Sequence, residues 1–182
     1  MSASPEEASL RDGRRCFVIM GVAGSGKSTV GALLSDRLGL PFLEGDALHS
    51  PANVLKMSRG EPLEDADRAP WLGAIAARLS DDERYPRGLV VSCSALKAAY
   101  RHRLRAAAAG VRFVFLAISP QLASTRVASR VGHFMPARLI GDQFATLEVP
   151  TAEEPDVVQV DASLAPSAIL AAILAAALPG AD

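Results

Sequence analysis

The residues with the plainest chemistry are Gly21-Val22-Ala23-Gly24-Ser25-Gly26-Lys27-Ser28-Thr29, which satisfy GxxxxGK[ST] in full. Glycines at this spacing let the backbone curl until successive N–H groups face one point, where phosphate oxygens accept from them. Lys27 is then placed to reach β- and γ-phosphates, Ser28 to ligate Mg²⁺, and Thr29 to make a further phosphate contact. That chemistry needs a strand before the loop and a helix after it. Cys16-Phe17-Val18-Ile19-Met20 is a continuous apolar run. Beyond the loop, Val30, Leu33, Leu34 and Leu38 recur with helical spacing, with Gly39 as cap and Pro41 as stop. The start of that helix adds partial positive charge. The ligand selected is a nucleoside triphosphate with Mg²⁺, ATP by default.

The second strand ends in Leu43-Glu44-Gly45-Asp46-Ala47-Leu48-His49. Ligands of open α/β sheets bind beyond the carboxyl ends of strands, so Asp46 belongs near the loop. Its carboxylate either holds Mg²⁺ through water or accepts a proton from an attacking hydroxyl; the alternative is a helix cap. His49, one helical turn on, is a substrate contact or a structural residue. Lys56, Arg59 and Arg68 lie in a polar, proline-punctuated stretch long enough for a substrate flap, as cations for an acidic substrate or as ordinary surface charge. Ser92, Ser94 and Lys97 follow the third apolar strand and face the same region, with Lys97 also suited to solvent or a helix cap. Arg126 and Arg130 share a helical face before Gly132-His133-Phe134-Met135-Pro136 breaks the helix. This reads as a lid, about residues 126–142, whose arginines close over phosphates, or as a solvated arginine face.

These residues need a scaffold, and the chain supplies one. Its 182 residues, 49% apolar and 21% charged, favour a single globular domain over residues 16–182 behind a flexible extension, 1–15. Apolar runs at Cys16–Met20, Phe42–Leu43, Gly88–Ser92, Arg112–Ile118 and Asp156–Val160 alternate with helical patterns. This gives an α/β fold with a parallel sheet covered on both faces. Pro70 suits a first helical turn before Leu72, Ile75 and Leu79. Leu96–Ala109 reads as a helix, and Trp71 as core. A net charge of −1 argues against partners held by bulk charge, nucleic acid or anionic membrane. Cys16 and Cys93 lie in apolar runs without metal-ligand spacing. With no secretory signal or spanning segment visible, a soluble cytoplasmic protein is expected. A GTPase is disfavoured, since NKxD and a DxxG suited to a γ-phosphate switch are both missing.

Several segments in order resemble the small gluconate kinases, relatives of shikimate kinase among P-loop kinases. They are Gly21–Thr29, Gly45-Asp46-Ala47-Leu48-His49, Lys56-Met57, Gly60-Glu61-Pro62-Leu63 and Asp67-Arg68-Ala69-Pro70-Trp71-Leu72. Cys93-Ser94-Ala95-Leu96-Lys97, Tyr100-Arg101, Gly132–Met135 and Gln143–Glu148 follow. The family often has proline directly after the histidine, where this chain has Ser50 and then Pro51. The resemblance implies a P-loop NTPase fold with strand order 2-3-1-4-5. It implies transfer of the ATP γ-phosphate to the terminal hydroxyl of D-gluconate, and it suggests a homodimer. It also implies that Asp161-Ala162 and the loop to Pro166 border the adenine. Within that reading Arg68 takes the carboxylate, Asp46 and His49 take hydroxyls, and Lys56, Ser94 and Lys97 add contacts. A kinase for another small acceptor, such as shikimate, and an ATP-binding regulator without an acceptor are the competing functions.

Overall fold

The apolar run around Val18 forms a strand in which all four residues, Phe17 to Met20, are buried. Successive strand side chains point to opposite faces, so complete burial requires cover on both. The computed structural model describes residues 13–129 and 138–177. In chain order the elements are β1 (Phe17–Met20), α1 (Lys27–Leu38), β2 (Phe42–Glu44), α2 (Pro51–Ser58), α3 (Asp65–Leu79), β3 (Val90–Ser92), α4 (Ala98–Arg105), β4 (Arg112–Ala117), α5 (Pro120–Ala128), α6 (Arg138–Thr146), β5 (Val157–Asp161) and α7 (Pro166–Ala177). A single 3₁₀ turn, Gly45–Leu48, follows β2. The strands pair in parallel in the order β2-β3-β1-β4-β5.

Val18, Met20, Val91 and Phe113 pack under α3 and α4 with Trp71, Ile75 and Leu104. Phe17, Ile19, Val90 and Val114 pack under α1 and α7 with Val30, Leu34, Ile169 and Ile173. Each buried Ile, Leu, Val or Phe contributes about 1.5–3 kcal/mol. A smaller cluster of Val22, Leu96, Ala123, Val127 and Ile140 fastens α5 and α6 beside the loop that leaves β1. Cys16 and Cys93 are buried free thiols, and burial pushes the Cys93 thiol up to about 12.

Three local readings change. Pro70 is inside α3 rather than in its first turn. Glu64 and Asp67 form a reciprocal capping box, with the Glu64 N–H donating to Asp67 at 2.8 Å, and this starts the helix at Asp65. Burial of Trp71, Leu72, Ile75 and Leu79 offsets the roughly 3 kcal/mol cost of an interior proline. The helix expected over Leu96–Ala109 occupies only Ala98–Arg105: Lys97 is its N-cap and Ala106 its C-cap, and Ala107 and Ala108 beyond it pack against the core. Arg14 and Arg15, assigned to the extension, are tied down: Arg15 N–H donates to Arg87 O at 3.0 Å and Arg14 pairs with Asp82 at 3.0 Å.

Arg101 is 1% exposed. Its guanidinium grips Glu154 with bonds of 2.8 and 2.6 Å and donates to the carbonyls of Ala95, Leu96 and Glu148. It thereby joins the loop after β3, the exit of α6 and the approach to β5.

Candidate active site

The loop after β1 is shaped by close approach. Gly24 has φ +82, and a Cβ there would stand 2.6 Å from the Ala123 carbonyl oxygen. Only glycine lets the loop lie that close to α5. A Cβ on Gly26 would meet nothing within 4 Å, so the loop is concave and open there. Gly26 is the N-cap of α1, whose first turn carries no acidic residue, leaving its positive end uncompensated. Lys27 Nζ donates to Val22 O at 3.1 Å. The Ser25 hydroxyl is buried with no hydrogen-bond partner among the described residues. Open concavity, helix end, lysine and unsatisfied hydroxyl fit a polyphosphate.

Two cavities meet on this loop, both touching Gly24 and Gly26. One, of about 250 Å³, lies between Thr29, Arg126, Ala162, Leu164 and Pro166. Arg126, one of the expected lid arginines, is therefore on the far side of the loop from Asp46. The other cavity, of about 380 Å³, brings together Lys27, Ser28, Asp46, His49, Arg68 and Ser94. Ser28 and Asp46 thus offer hard oxygen donors in one cavity, which suits Mg²⁺. Arg130 and His133 lie outside the described residues.

Asp46 sits in the 3₁₀ turn with a half-exposed carboxylate. His49 stacks on Trp71 at 4.3 Å and 14°, while Trp71 Nε1 donates to Gly45 O at 2.7 Å. The imidazole side chain is 4% exposed, and its Nε2 stands 4.0 Å from Asp46 Oδ1. Burial lowers the His49 pKa from 6.5; Asp46 opposes the shift and Arg68 adds to it. The ring is accordingly neutral at pH 7. A folded pKa below the unfolded value means that the unfolded chain takes up the proton first. The His49 contribution is therefore complete above pH 6.5 and declines as pH falls from 6.5 through the lower folded pKa. Denaturation curves between pH 7.5 and 5.5 give a flatter stability profile for His49→Gln than for the unmutated chain.

The three cations of the expected flap have different fates. Arg68 lines the cavity and donates from Nε to Leu63 O at 3.3 Å. Lys56 does not line it; its Nζ is 2.6 Å from Asp67 Oδ2. Arg59 caps the C-terminus of α2. Lys97 is also held away from the cavity, by both carboxylate oxygens of Asp65 at 2.7 and 2.9 Å. Tyr100 donates to the same carboxylate. The hydrogen bond from each lysine lowers its aspartate's pKa and raises the lysine's. Lys56 and Lys97 thus clamp the acidic first turn of α3, the helix that carries Arg68. Ser50, the departure from the family pattern, caps α2 by accepting from Asn53 N–H at 3.2 Å.

Two polar residues of the cavity lining, Glu44 and Gln143, are given no role by the sequence. Glu44, the last residue of β2, pairs in register with Ser92, whose hydroxyl donates to its carboxylate. A strand ending at Leu43 hides it; the strand-end rule, applied one residue later, finds it. Gln143 on α6 accepts the Ala23 N–H at 2.7 Å. No local pattern announces that contact.

Residues 17–150 match the AAA domain family. A gluconokinase from Gluconobacter oxydans (strain 621H) is 49% identical over 156 residues, covering 86% of this chain and 87% of that protein. The chain belongs to this AAA domain family and, within it, to the gluconokinases. The crystal structure of a gluconokinase from Sinorhizobium meliloti 1021 superposes with a TM-score of 0.81 at 46% identity, covering 91% of this chain and 92% of that one. Shikimate kinase from Aquifex aeolicus shares the fold alone, with a TM-score of 0.60 at 19% identity over 89% of this chain and 95% of that one. The gluconokinase fold accounts for the parallel sheet and for the nucleotide-binding loop at its centre.

Proposed function

We propose that the chain transfers the γ-phosphate of ATP to the terminal hydroxyl of D-gluconate, giving 6-phosphogluconate and ADP. The observation that carries this reading is the pair of cavities meeting on the phosphate loop. One takes the nucleoside, the other the acceptor, and the transferring group lies between. A polyol acid needs one cation and several hydrogen-bond partners; Arg68, Asp46, His49 and Ser94 are of those types.

In the step itself the acceptor oxygen bonds to the γ-phosphorus. The bond from phosphorus to the β–γ bridging oxygen breaks, and ADP leaves with its electron pair. The hydroxyl proton passes to Asp46, which also orients the nucleophile. Lys27 and the loop N–H groups hold the phosphates and absorb charge that spreads during transfer. Ser28 and Asp46 are the residues that would hold Mg²⁺, which would supply neutralisation of phosphate charge. Arg126, which borders the nucleoside cavity from α5, and Arg130 neutralise phosphate charge. Lys56 and Lys97 act on substrate indirectly, by setting α3. The protein works in the cytoplasm, as a homodimer. Among the described residues no helix is long and apolar enough to cross a membrane.

The test is ADP release from MgATP with D-gluconate, shikimate, AMP or no acceptor. Stimulation by gluconate alone is the expected result. Stimulation by shikimate or AMP instead replaces the acceptor, and nucleotide binding without any stimulation overturns the kinase reading. Arg68→Ala raises the gluconate KM by roughly 10- to 100-fold, the loss expected for a charged hydrogen-bonding pair, with the ATP KM within about twofold. Initial-rate kinetics with each substrate varied check this, and an unchanged gluconate KM removes Arg68 from the acceptor site.

A further inference from the structure

The hydrogen bond from Ala23 N–H to Gln143 Oε1 joins residues 120 positions apart. It connects the loop that holds nucleotide to the wall of the acceptor cavity. Ala23 lines the acceptor cavity and is not among the residues around the nucleoside cavity. Gln143 lines the same acceptor cavity. With Arg68, Met57, Leu63 and Asp142 it also lines a small adjoining one of about 40 Å³.

The backbone behind Gln143 is firmly anchored. Ile140 is buried against Val22, Ala123 and Val127. Leu147 N–H donates to Gln143 O at 2.9 Å, and Glu148 N–H donates to Leu96 O at 2.8 Å. Arg101 holds the Glu148 carbonyl at 3.0 Å. A fixed helix therefore presents a long side chain that lines the acceptor cavity and whose tip touches the phosphate loop.

One N–H near a terminal phosphate faces two acceptors, an amide oxygen and an anionic oxygen. Hydrogen bonds to ionised acceptors are roughly twice as strong as neutral ones, so the phosphate prevails. We propose that Gln143 couples nucleotide binding to acceptor binding. The terminal phosphate draws the Ala23 N–H, and the carboxamide turns from the loop to hydrogen-bond a hydroxyl of the polyol acceptor. The coupling rests on the gluconate reading given above. It is reciprocal, so the acceptor tightens nucleotide binding by the same factor. Gln143 is in this sense a specificity residue: it favours an acceptor that offers a hydroxyl at that place, and only once the donor is bound.

Isothermal titration calorimetry of D-gluconate, with and without the β,γ-imido analogue of MgATP, tests the coupling. In the unmutated chain the analogue lowers the gluconate Kd by about 10-fold. In Gln143→Ala each ligand alone binds within about twofold of normal, and the analogue's effect on gluconate falls to about twofold or less. In Gln143→Glu the carboxylate keeps the acceptor for Ala23 N–H but repels phosphate, so analogue affinity drops and the coupling stays lost. A residue that only braces α6 would weaken both ligands and leave their ratio intact. Undiminished coupling in Gln143→Ala, or none in the unmutated chain, overturns the proposal. Normal analogue binding with no gluconate binding in either state overturns the acceptor reading itself, and the coupling with it.

Discussion

Lys27→Ala lowers kcat by about 10²- to 10³-fold or more, the scale for loss of one preorganised group that stabilises transition-state charge. Lys27 is the first residue of α1, directly after the left-handed Gly26, and it borders the acceptor cavity. Its ammonium donates to Val22 O, a loop carbonyl within reach of the phosphate cradle. Phosphoryl transfer places growing negative charge on the equatorial and bridging oxygens, and a cation fixed there lowers the barrier without reorganising. The substitution removes the cation and leaves the core untouched, since Lys27 belongs to none of the buried clusters. Steady-state rates with saturating gluconate, alongside a melting curve, check both halves. A cooperative melt near the unmutated midpoint with full turnover would remove Lys27 from the mechanism.

Asp46→Asn is the second large effect, a fall in kcat of about 10²- to 10⁴-fold, the range for general-base catalysis, with the gluconate KM changed by only a few-fold. Asparagine keeps size and hydrogen-bonding reach but cannot take the proton. The structure supplies a competitor for the role, because Glu44 borders the same cavity. Its carboxylate is engaged by the Ser92 hydroxyl, which in turn accepts the Gly45 N–H at 3.1 Å. That arrangement fixes Glu44 against the sheet, whereas Asp46 sits on an exposed turn with half its side chain in the cavity or solvent. Rates for Asp46→Asn and Glu44→Gln, measured side by side, separate the two. A normal rate in the first with a collapsed rate in the second would transfer the base to Glu44.

The parts legible in sequence are those governed by neighbours a few residues away. The run Cys16–Met20 implied a doubly covered strand because every side chain on both faces had to be apolar. Gly39 implied the end of α1, and it is left-handed at φ +62. The loop signature implied its own curvature and charge, and Asp46 implied a place beside it from the strand-end rule. The strand order came from resemblance rather than from any periodicity. A capping box competes with Pro70 as a start signal, and the hydrophobic burial behind it leaves the proline inside α3.

Short-range signals in the sequence specify the α/β framework, the phosphate loop and the strand-end position of Asp46, because helix caps, glycine turns and strand periods depend on neighbours a few residues away and are strongly constrained. Tertiary structure alone decided which polar side chains reach the cavity. Lys56 and Arg68 look alike as cations on one stretch, yet Lys56 meets Asp67, 11 residues away, and Arg68 faces the cavity. Lys97 meets Asp65 across 32 residues, and Gln143 meets Ala23 across 120. A long side chain's partner is set by how whole elements dock, and docking is driven by non-directional burial of apolar faces that carries no mark at the charged residue itself.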